Sequence, residues 1–218
     1  MKKLLFIPFI ALLSCNNVGN QTTSQNPSNT VLVIVLDNSA SYVRRCPKVN
    51  APMLKPLCTR ITKTSSIDIR IGRVTANSDT EFLRYSQQKI IEQTQDNNPW
   101  LNAGNETQTN EAEAQWHVFA AQLEQITKPA KQSDIGGCLS HSLLIFQEYP
   151  HGSRKILLLA TDYKNNGLPM PAIDPDIEVM NIGALPNIPI EKLLHTQNVK
   201  RFESLQTAIE FISSTFKN

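Results

Sequence analysis

Two uninterrupted apolar segments stand out in the hydrophobic pattern, and an aspartate follows each of them. Residues 31–36 read VLVIVL and precede Asp37, whereas residues 156–160 read ILLLA and precede Thr161 and Asp162. A short, continuous apolar run is typical of a strand that is buried on both faces, as in a parallel sheet. Both aspartates are therefore predicted to lie where an interior strand ends.

The rest of the pattern predicts further strands and helices. Residues 67–74 alternate apolar with polar positions, which predicts a strand with one solvent-facing side, nearer a sheet edge. Apolar residues at helical spacing predict amphipathic helices over residues 111–126 and 136–149. Shorter segments are predicted as strands at 81–85, 177–183 and 199–202, and as helices at 88–95, 190–194 and 205–216.

The alternation of strands and helices predicts the α/β fold class, with a doubly wound, mostly parallel sheet and helices on both faces. Two segments break the alternation. Residues 41–64 contain three prolines and are predicted to be irregular rather than one clean helix, and residues 96–110 are predicted to be a loop. In sheets of this class, ligands bind beyond the carboxyl ends of the strands. Asp37 and Asp162 are predicted to lie there.

The N-terminus has the pattern of an export signal. Two lysines precede an apolar run over residues 4–13, which is too short to span a bilayer, and a small residue then precedes Cys15. This ending resembles the lipobox of bacterial lipoproteins. The resemblance implies that residues 1–14 are a signal peptide, and that Cys15 carries diacylglycerol on its thiol and an acyl chain such as palmitate on its amine.

The segment after Cys15 is almost entirely Asn, Gln, Ser and Thr, so it buries too little apolar surface to fold. Residues 15–30 are therefore predicted to be a flexible tether, and residues 31–218 one domain. A lipid anchor would hold that domain at the bacterial cell envelope, on the outer-membrane or periplasmic side rather than in the cytoplasm. No second long apolar segment follows.

Charge and cysteine content narrow the choice of partner and compartment. The chain has 21 basic and 19 acidic residues, and removal of the two signal lysines leaves 19 of each, which argues against nucleic acid as a partner. Cys46, Cys58 and Cys138 remain beside the lipid-bearing cysteine. An exported protein favours a disulfide between Cys46 and Cys58, with Cys138 a buried thiol; the alternative is that all three are free.

The residues after the first apolar run have the composition of a cation site. Asp37, Ser39 and Ser41 follow one another at every second position, a spacing that aims their side chains to one side of an extended loop. They offer one carboxylate and two hydroxyls. Oxygen ligands with little charge suit Mg²⁺, which binds six oxygens at about 2.1 Å and usually keeps some of its waters.

Three segments in order resemble the motifs of von Willebrand factor type A (vWA) domains. DNSAS at residues 37–41 matches the Asp-x-Ser-x-Ser signature. SDIGGCL at residues 133–139 is similar to the second loop, with Ser133 where the family has Thr, and TDY at residues 161–163 to the third, with Tyr163 where the family has Gly. The resemblance spans Val31 to Phe216 and implies a Rossmann-like vWA fold.

The vWA resemblance also implies a metal ion-dependent adhesion site (MIDAS) and no catalytic residue. The protein ligands would be five side chains: Asp37, Ser39, Ser41, Ser133 and Asp162. The ion would be Mg²⁺, or else Mn²⁺ or Ca²⁺. An open coordination position would accept a carboxylate oxygen from an Asp or Glu of a protein partner, so the implied function is adhesion or another kind of protein binding.

Two alternatives to the adhesion site stay open on the sequence. One is a metal-dependent hydrolase or phosphatase that uses Asp37 as its nucleophile. Such enzymes usually need a second carboxylate two residues on, and Ser39 occupies that position. The other is a structural domain whose metal site has decayed, because Ser133 and Tyr163 depart from the family motif. In that case the polar residues cap helices and turns, and Ser39 or Ser133 begins a helix.

Overall fold

Six strands and five helices make up the computed structural model, which describes residues 29–39, 42, 48–75, 82–90, 99–125, 133–164, 167–183 and 188–216. The strands are β1 (Asn29–Asp37), β2 (Ser66–Val74), β3 (Leu83–Gln87), β4 (Arg154–Ala160), β5 (Ile177–Ile182) and β6 (Val199–Phe202). The helices are α1 (Ala51–Ile61), α2 (Pro99–Glu124), α3 (Ile135–Gln147), α4 (Ile190–Leu193) and α5 (Leu205–Ser214).

The strands form one sheet in the order β3-β2-β1-β4-β5-β6. Every neighbouring pair is parallel except β2 with β3, which is antiparallel. Two parallel strands must be joined by a crossover connection, and helices on both sides of the sheet provide these connections. The α/β class and the mostly parallel, doubly wound sheet are therefore confirmed.

The two central apolar runs are continuous because each strand has a core on both faces. In β1, Leu32 and Ile34 pack into a cluster with side chains of α1, α2 and α5. The alternate residues Val31 and Val33 pack into a second cluster with α3 and α4. Since side chains of a strand alternate between faces, a run without polar positions is what a doubly covered strand requires.

The alternating strand β2 does not have the solvent-facing side that its pattern predicts. Its isoleucines pack into the first cluster, and Asp68 and Arg70 project from the opposite face. Asp68 is only 5% exposed, and its carboxylate accepts hydrogen bonds from Arg70 Nε at 2.7 Å and from Arg84 Nη2 at 2.7 Å. The alternating pattern correctly predicted that one face of β2 is polar. The polar side chains on that face are satisfied by ion pairs rather than by water.

The expectation of irregular structure over residues 41–64 is wrong where helix α1 forms. The Asn50 side chain caps the helix by accepting from the backbone N–H of Met53 at 3.0 Å. Pro52 lies in the first turn, where a backbone N–H has no intrahelical partner, so it is tolerated there. Pro56 lies inside the helix. Pro56 removes one intrahelical hydrogen bond. The helix offsets this loss by burying one apolar face, which consists of Leu54, Leu57, Cys58 and Ile61.

Helix α2 also differs from the sequence prediction. It begins at Pro99, so the loop expected over residues 96–110 is helical from that point, and the helix expected at residue 111 is the continuation of a longer one. Its apolar stripe includes Trp116 and Phe119, which contact Tyr85 of β3. Of the helix expected over residues 88–95, residues 88–90 are not helical and the rest lie outside the described residues.

No helix in the described part of the chain is long and apolar enough to cross a membrane. The description begins at Asn29, the first residue of β1. The expected signal peptide over residues 1–14, the lipidated Cys15 and the tether up to residue 28 lie outside it. These three assignments stay predictions.

Candidate metal centre

The carboxyl ends of three neighbouring strands bring the predicted site residues to one edge of the sheet. Asp37, the last residue of β1, is in register with Val74 of β2. On the other side, Leu36 is in register with Ala160 of β4, so Asp162 follows that strand at the same edge. The segment before α3 reaches this edge as well, because the Asp134 N–H donates to the Thr75 carbonyl at 3.0 Å.

Asp37 is fully buried, and neutral donors hold both of its carboxylate oxygens. The backbone N–H of Ser39 donates to Oδ1 at 2.9 Å, and the hydroxyl of Thr161 donates to Oδ2 at 2.7 Å. Each carboxylate oxygen has a second lone pair. Because a buried carboxylate with only neutral partners keeps its charge uncompensated, this position attracts a cation.

Thr161 was not a predicted site residue, although its hydroxyl orients Asp37. It is fully buried, and its oxygen also accepts from the backbone N–H of Tyr163 at 3.0 Å. The signal for this role was present in the sequence once the strands were paired. Parallel register places the residue after Ala160 beside the residue after Leu36, and those residues are Thr161 and Asp37.

Ser133 provides a buried hydroxyl that no other described group satisfies. The residue is 3% exposed, and its Oγ has no hydrogen-bond partner. An unsatisfied buried hydroxyl is unfavourable, and binding of a ligand, an ion or a water would satisfy it. Ser133 does not cap α3 either, because the N-cap is Asp134.

The second and third loops are joined by Asp134, another residue that sequence reasoning did not assign. Its Oδ1 accepts from the backbone N–H of Gly137 at 3.0 Å, which caps α3, and from that of Leu168 at 2.8 Å. The two segments approach so closely that a Cβ at Gly136 would clash with the Leu168 carbonyl, and one at Gly167 with the Asp134 carboxylate. Glycine is therefore required at both contacts.

Asp162 is 4% exposed, and its Oδ1 accepts from the backbone N–H of Lys164 at 3.1 Å. The Nζ of the same lysine lies 3.9 Å from Oδ2, at a side chain that is 67% exposed. A charge pair this long and this open to water is weak. The Lys164 ammonium therefore contributes little fixed compensation to the Asp162 carboxylate.

Tyr163, which stands where the vWA motif has glycine, has a left-handed backbone conformation. Its φ is 59°, in the left-handed region that side chains rarely adopt. Its side chain packs into the second core cluster and is 8% exposed, and its hydroxyl accepts from Asn181 Nδ2 of β5 at 2.8 Å. Burial raises the pKa of this phenol. The ring therefore fills the core rather than extending over the carboxyl edge.

The electrostatic field at this edge is negative, and it affects the pKa of Cys138. Cys138 lies in the first turn of α3 and is fully buried. Burial, with a smaller contribution from the charges of Asp134 and Asp37, raises the pKa of its thiol to about 12. The thiol is therefore protonated and is a poor nucleophile or metal ligand at neutral pH.

Four of the five predicted ligands lie at this edge, and Ser41 lies outside the described residues. They supply two carboxylates and two hydroxyls: Asp37, Asp162, Ser39 and Ser133. Within the described ranges, no group of three or more His, Cys, Asp or Glu side chains is placed to hold a metal ion. Any ion bound here would therefore depend on hydroxyls and water as well as on two carboxylates, which suits Mg²⁺.

The predicted disulfide concerns a different part of the molecule. Cys58 lies in α1, is 1% exposed, and has no disulfide partner among the described residues. Burial raises the pKa of this thiol to about 12. Cys46 lies outside the described residues. The bridge between them therefore stays a prediction.

Comparison of the fold with solved structures finds vWA domains among the similar ones. No family model and no curated protein matches the sequence. A vWA protein from Catenulispora acidiphila is 16% identical, with a TM-score of 0.46 over 87% of this chain and 42% of that one. The pilus adhesin SpaC from Lactobacillus rhamnosus GG is 13% identical, with a TM-score of 0.48 over 88% of this chain and 31% of that one.

The chain thus spans less than half the length of these two proteins. The SpRpn10 VWA domain is 9% identical, with a TM-score of 0.41 over 83% of this chain and 93% of that domain. At identities this low, and with every one of these TM-scores below 0.5, we draw no functional conclusion from the likeness. The strand order, and the three motif loops at one edge of the sheet, give this chain the vWA-like α/β architecture.

Proposed function

We propose that this chain is a lipid-anchored protein of the bacterial envelope, whose vWA-like domain binds a protein partner through a divalent cation. The observation that carries the proposal is the pair formed by the Asp37 carboxylate, held only by neutral described donors, and the buried Ser133 hydroxyl without a partner. A cation with oxygen ligands would satisfy both groups at once.

The residues that would hold the ion are Asp37, Ser39, Ser41, Ser133 and Asp162. Thr161 would orient the first of them, through the hydroxyl contact at 2.7 Å. When bound, the ion supplies an open coordination position for one carboxylate oxygen of an Asp or Glu from the partner. With two protein carboxylates the ion's charge is no more than balanced, and the exposed Lys164 adds a positive group beside it. An acidic partner group suits that balance.

Thermal unfolding of the purified full-length chain with and without Mg²⁺ tests the metal site. At a free concentration about 100 times Kd, a ligand specific to the folded state adds about 2.7 kcal/mol to the free energy of unfolding. We expect this increment in wild type and in Asp174→Asn, an exposed aspartate before β5, and its loss in Asp37→Asn. Mn²⁺ and Ca²⁺ run in parallel identify the preferred ion.

No increment with any of the three ions in wild type would favour a decayed site. Hydrolysis of a generic phosphate ester that Asp37→Asn abolishes would instead favour the enzyme.

The anchor is tested separately, since labelled palmitate should enter the wild-type chain and not Cys15→Ala. Recovery of a partner from envelope extract should depend on the cation and be lost with a chelator and in Asp37→Asn.

A further inference from the structure

An exposed leucine lies next to the candidate metal centre. Four large apolar side chains of the described residues are strongly exposed: Ile90 at 47%, Val118 at 60%, Leu144 at 61% and Leu168 at 57%. Of these four, Leu168 lies at the carboxyl edge, because its backbone N–H donates to Asp134, the residue after Ser133. Pro169, also exposed, extends this apolar surface.

The backbone of this surface is fixed from below. The Leu168 N–H is bound at 2.8 Å to the same Asp134 oxygen that caps α3. The carbonyls of Leu168 and Pro169 pack against Gly136 in the first turn of that helix, with no room for a Cβ between them. The backbone contacts therefore fix where the exposed leucine side chain leaves the backbone. An apolar side chain on a fixed backbone loses less conformational entropy when a partner covers it than one on a mobile backbone.

Charge at the same edge indicates what the covering partner carries. Lys164 is 67% exposed and lies 3.9 Å from the Asp162 carboxylate, so its ammonium group is available to a second carboxylate. The bound cation that we propose would lie at the same edge, held in part by Asp162, the residue that Lys164 approaches. The two protein carboxylates balance the ion, and the ion's open position together with Lys164 can accept one further carboxylate beside the apolar surface. This arrangement is complementary to an acidic residue that has an apolar neighbour.

We propose that the partner presents an acidic side chain with a large apolar residue within two positions of it in sequence. The carboxylate would meet the cation and Lys164, while the apolar side chain would cover Leu168 and Pro169. This inference rests on the proposed function, because the carboxylate needs the cation. It adds the chemical class of the recognition segment, which the metal site alone leaves open.

A series of immobilised peptides tests the inference on the purified full-length chain. Each peptide has one central Glu in a Gly-Ser background, with a single Leu at one of the four flanking positions, and the reference peptide has Ser at all four. Covering about half of a leucine side chain corresponds to roughly a five-fold change in affinity. In Mg²⁺ we expect at least one Leu peptide to bind about five-fold more tightly than the reference peptide.

Leu168→Ser should abolish the preference for Leu while Mg²⁺-dependent binding of the reference peptide persists. The matched control is Leu144→Ser, which removes a similarly exposed leucine. Leu144 lies about 14 Å along α3 from the first residue of that helix, so this variant should keep the preference. Equal binding of every peptide, or an unchanged preference in Leu168→Ser, would overturn this inference. Loss of all Mg²⁺-dependent binding in wild type would instead overturn the proposed function.

Discussion

Two buried aspartates, Asp68 and Asp37, show how differently the same side chain is used in this molecule. Asp68 is 5% exposed and has two guanidinium partners, Arg70 at 2.7 Å and Arg84 at 2.7 Å. Asp37 is fully buried, and its carboxylate is held by a backbone amide and a hydroxyl. Among the described residues, no lysine or arginine pairs with it.

The difference separates a structural charge from one available for binding. A buried carboxylate needs compensation, and at Asp68 the fold supplies it with fixed cations. At Asp37 neutral donors orient the group without cancelling its charge, so a cation from solution can complete the site. Sequence position matches this division, because Asp68 lies within β2 and Asp37 at the carboxyl end of β1, where ligands bind in sheets of this class.

The strongest test exchanges the two carboxylates for amides. Asp68→Asn should lower the free energy of unfolding by about 3 kcal/mol, because it leaves the largely buried Arg70 without its main counter-charge. The Mg²⁺ increment should be unchanged in this variant. Asp37→Asn should show the opposite pattern, with near-normal stability without metal and no increment. Denaturant titration with and without Mg²⁺ measures both, and a loss of the increment in Asp68→Asn would contradict the comparison.

A second test uses two buried serines that both lack a hydrogen-bond partner, Ser133 and Ser153. Ser153 lies just before β4, at the opposite edge of the sheet. Without metal, alanine at either position should change the free energy of unfolding by less than about 1 kcal/mol, because an unsatisfied hydroxyl is removed. Of the two variants, only Ser133→Ala should lower the affinity for Mg²⁺, by about ten-fold. Isothermal titration with Mg²⁺ measures this, and equal weakening in Ser153→Ala would remove Ser133 from the site.

A smaller effect is expected at Tyr163, which lies beside the edge but points into the core. Tyr163→Phe removes the acceptor for Asn181 Nδ2 and leaves that donor a longer contact, at 3.3 Å, to the Leu159 carbonyl. The free energy of unfolding should fall by about 1 kcal/mol. Mg²⁺ affinity should not change, because the left-handed backbone is kept. Weaker Mg²⁺ binding at unchanged stability would place the phenol hydroxyl in the metal site instead.

The smallest effect is expected for the long pair between the exposed Lys164 and the buried Asp162. Lys164→Gln removes a cation that competes with the metal ion for the Asp162 carboxylate. Mg²⁺ should therefore bind slightly more tightly, by about two-fold at low salt, and the gain should disappear near 0.5 M NaCl because salt screens exposed charges. A titration series at increasing ionic strength measures it, with Lys192→Gln on α4 as the control.

The comparison also shows why the sequence predicts some features and not others. Residues 31–36 and 156–160 determine two interior strands by composition alone, since a continuous apolar run needs two covered faces. In a parallel sheet, which such runs predict, the aspartates that follow them lie at the same carboxyl edge. Fold class and the position of the candidate site are local consequences of hydrophobic pattern and chain direction.

Tertiary structure decided the features that depend on a distant partner. Helix α1 forms through its prolines because its buried face packs on the sheet, and the polar side of β2 is buried because Arg84 arrives from β3. Thr161 becomes the orienting group of Asp37 only when β1 and β4 pair. Asp134 rather than Ser133 caps α3, and the Ser133 hydroxyl is buried without a partner. The sequence determined which chemical groups are present and at which edge. Burial and pairing across the fold decided which of those groups remain uncompensated, because both depend on residues far away along the chain.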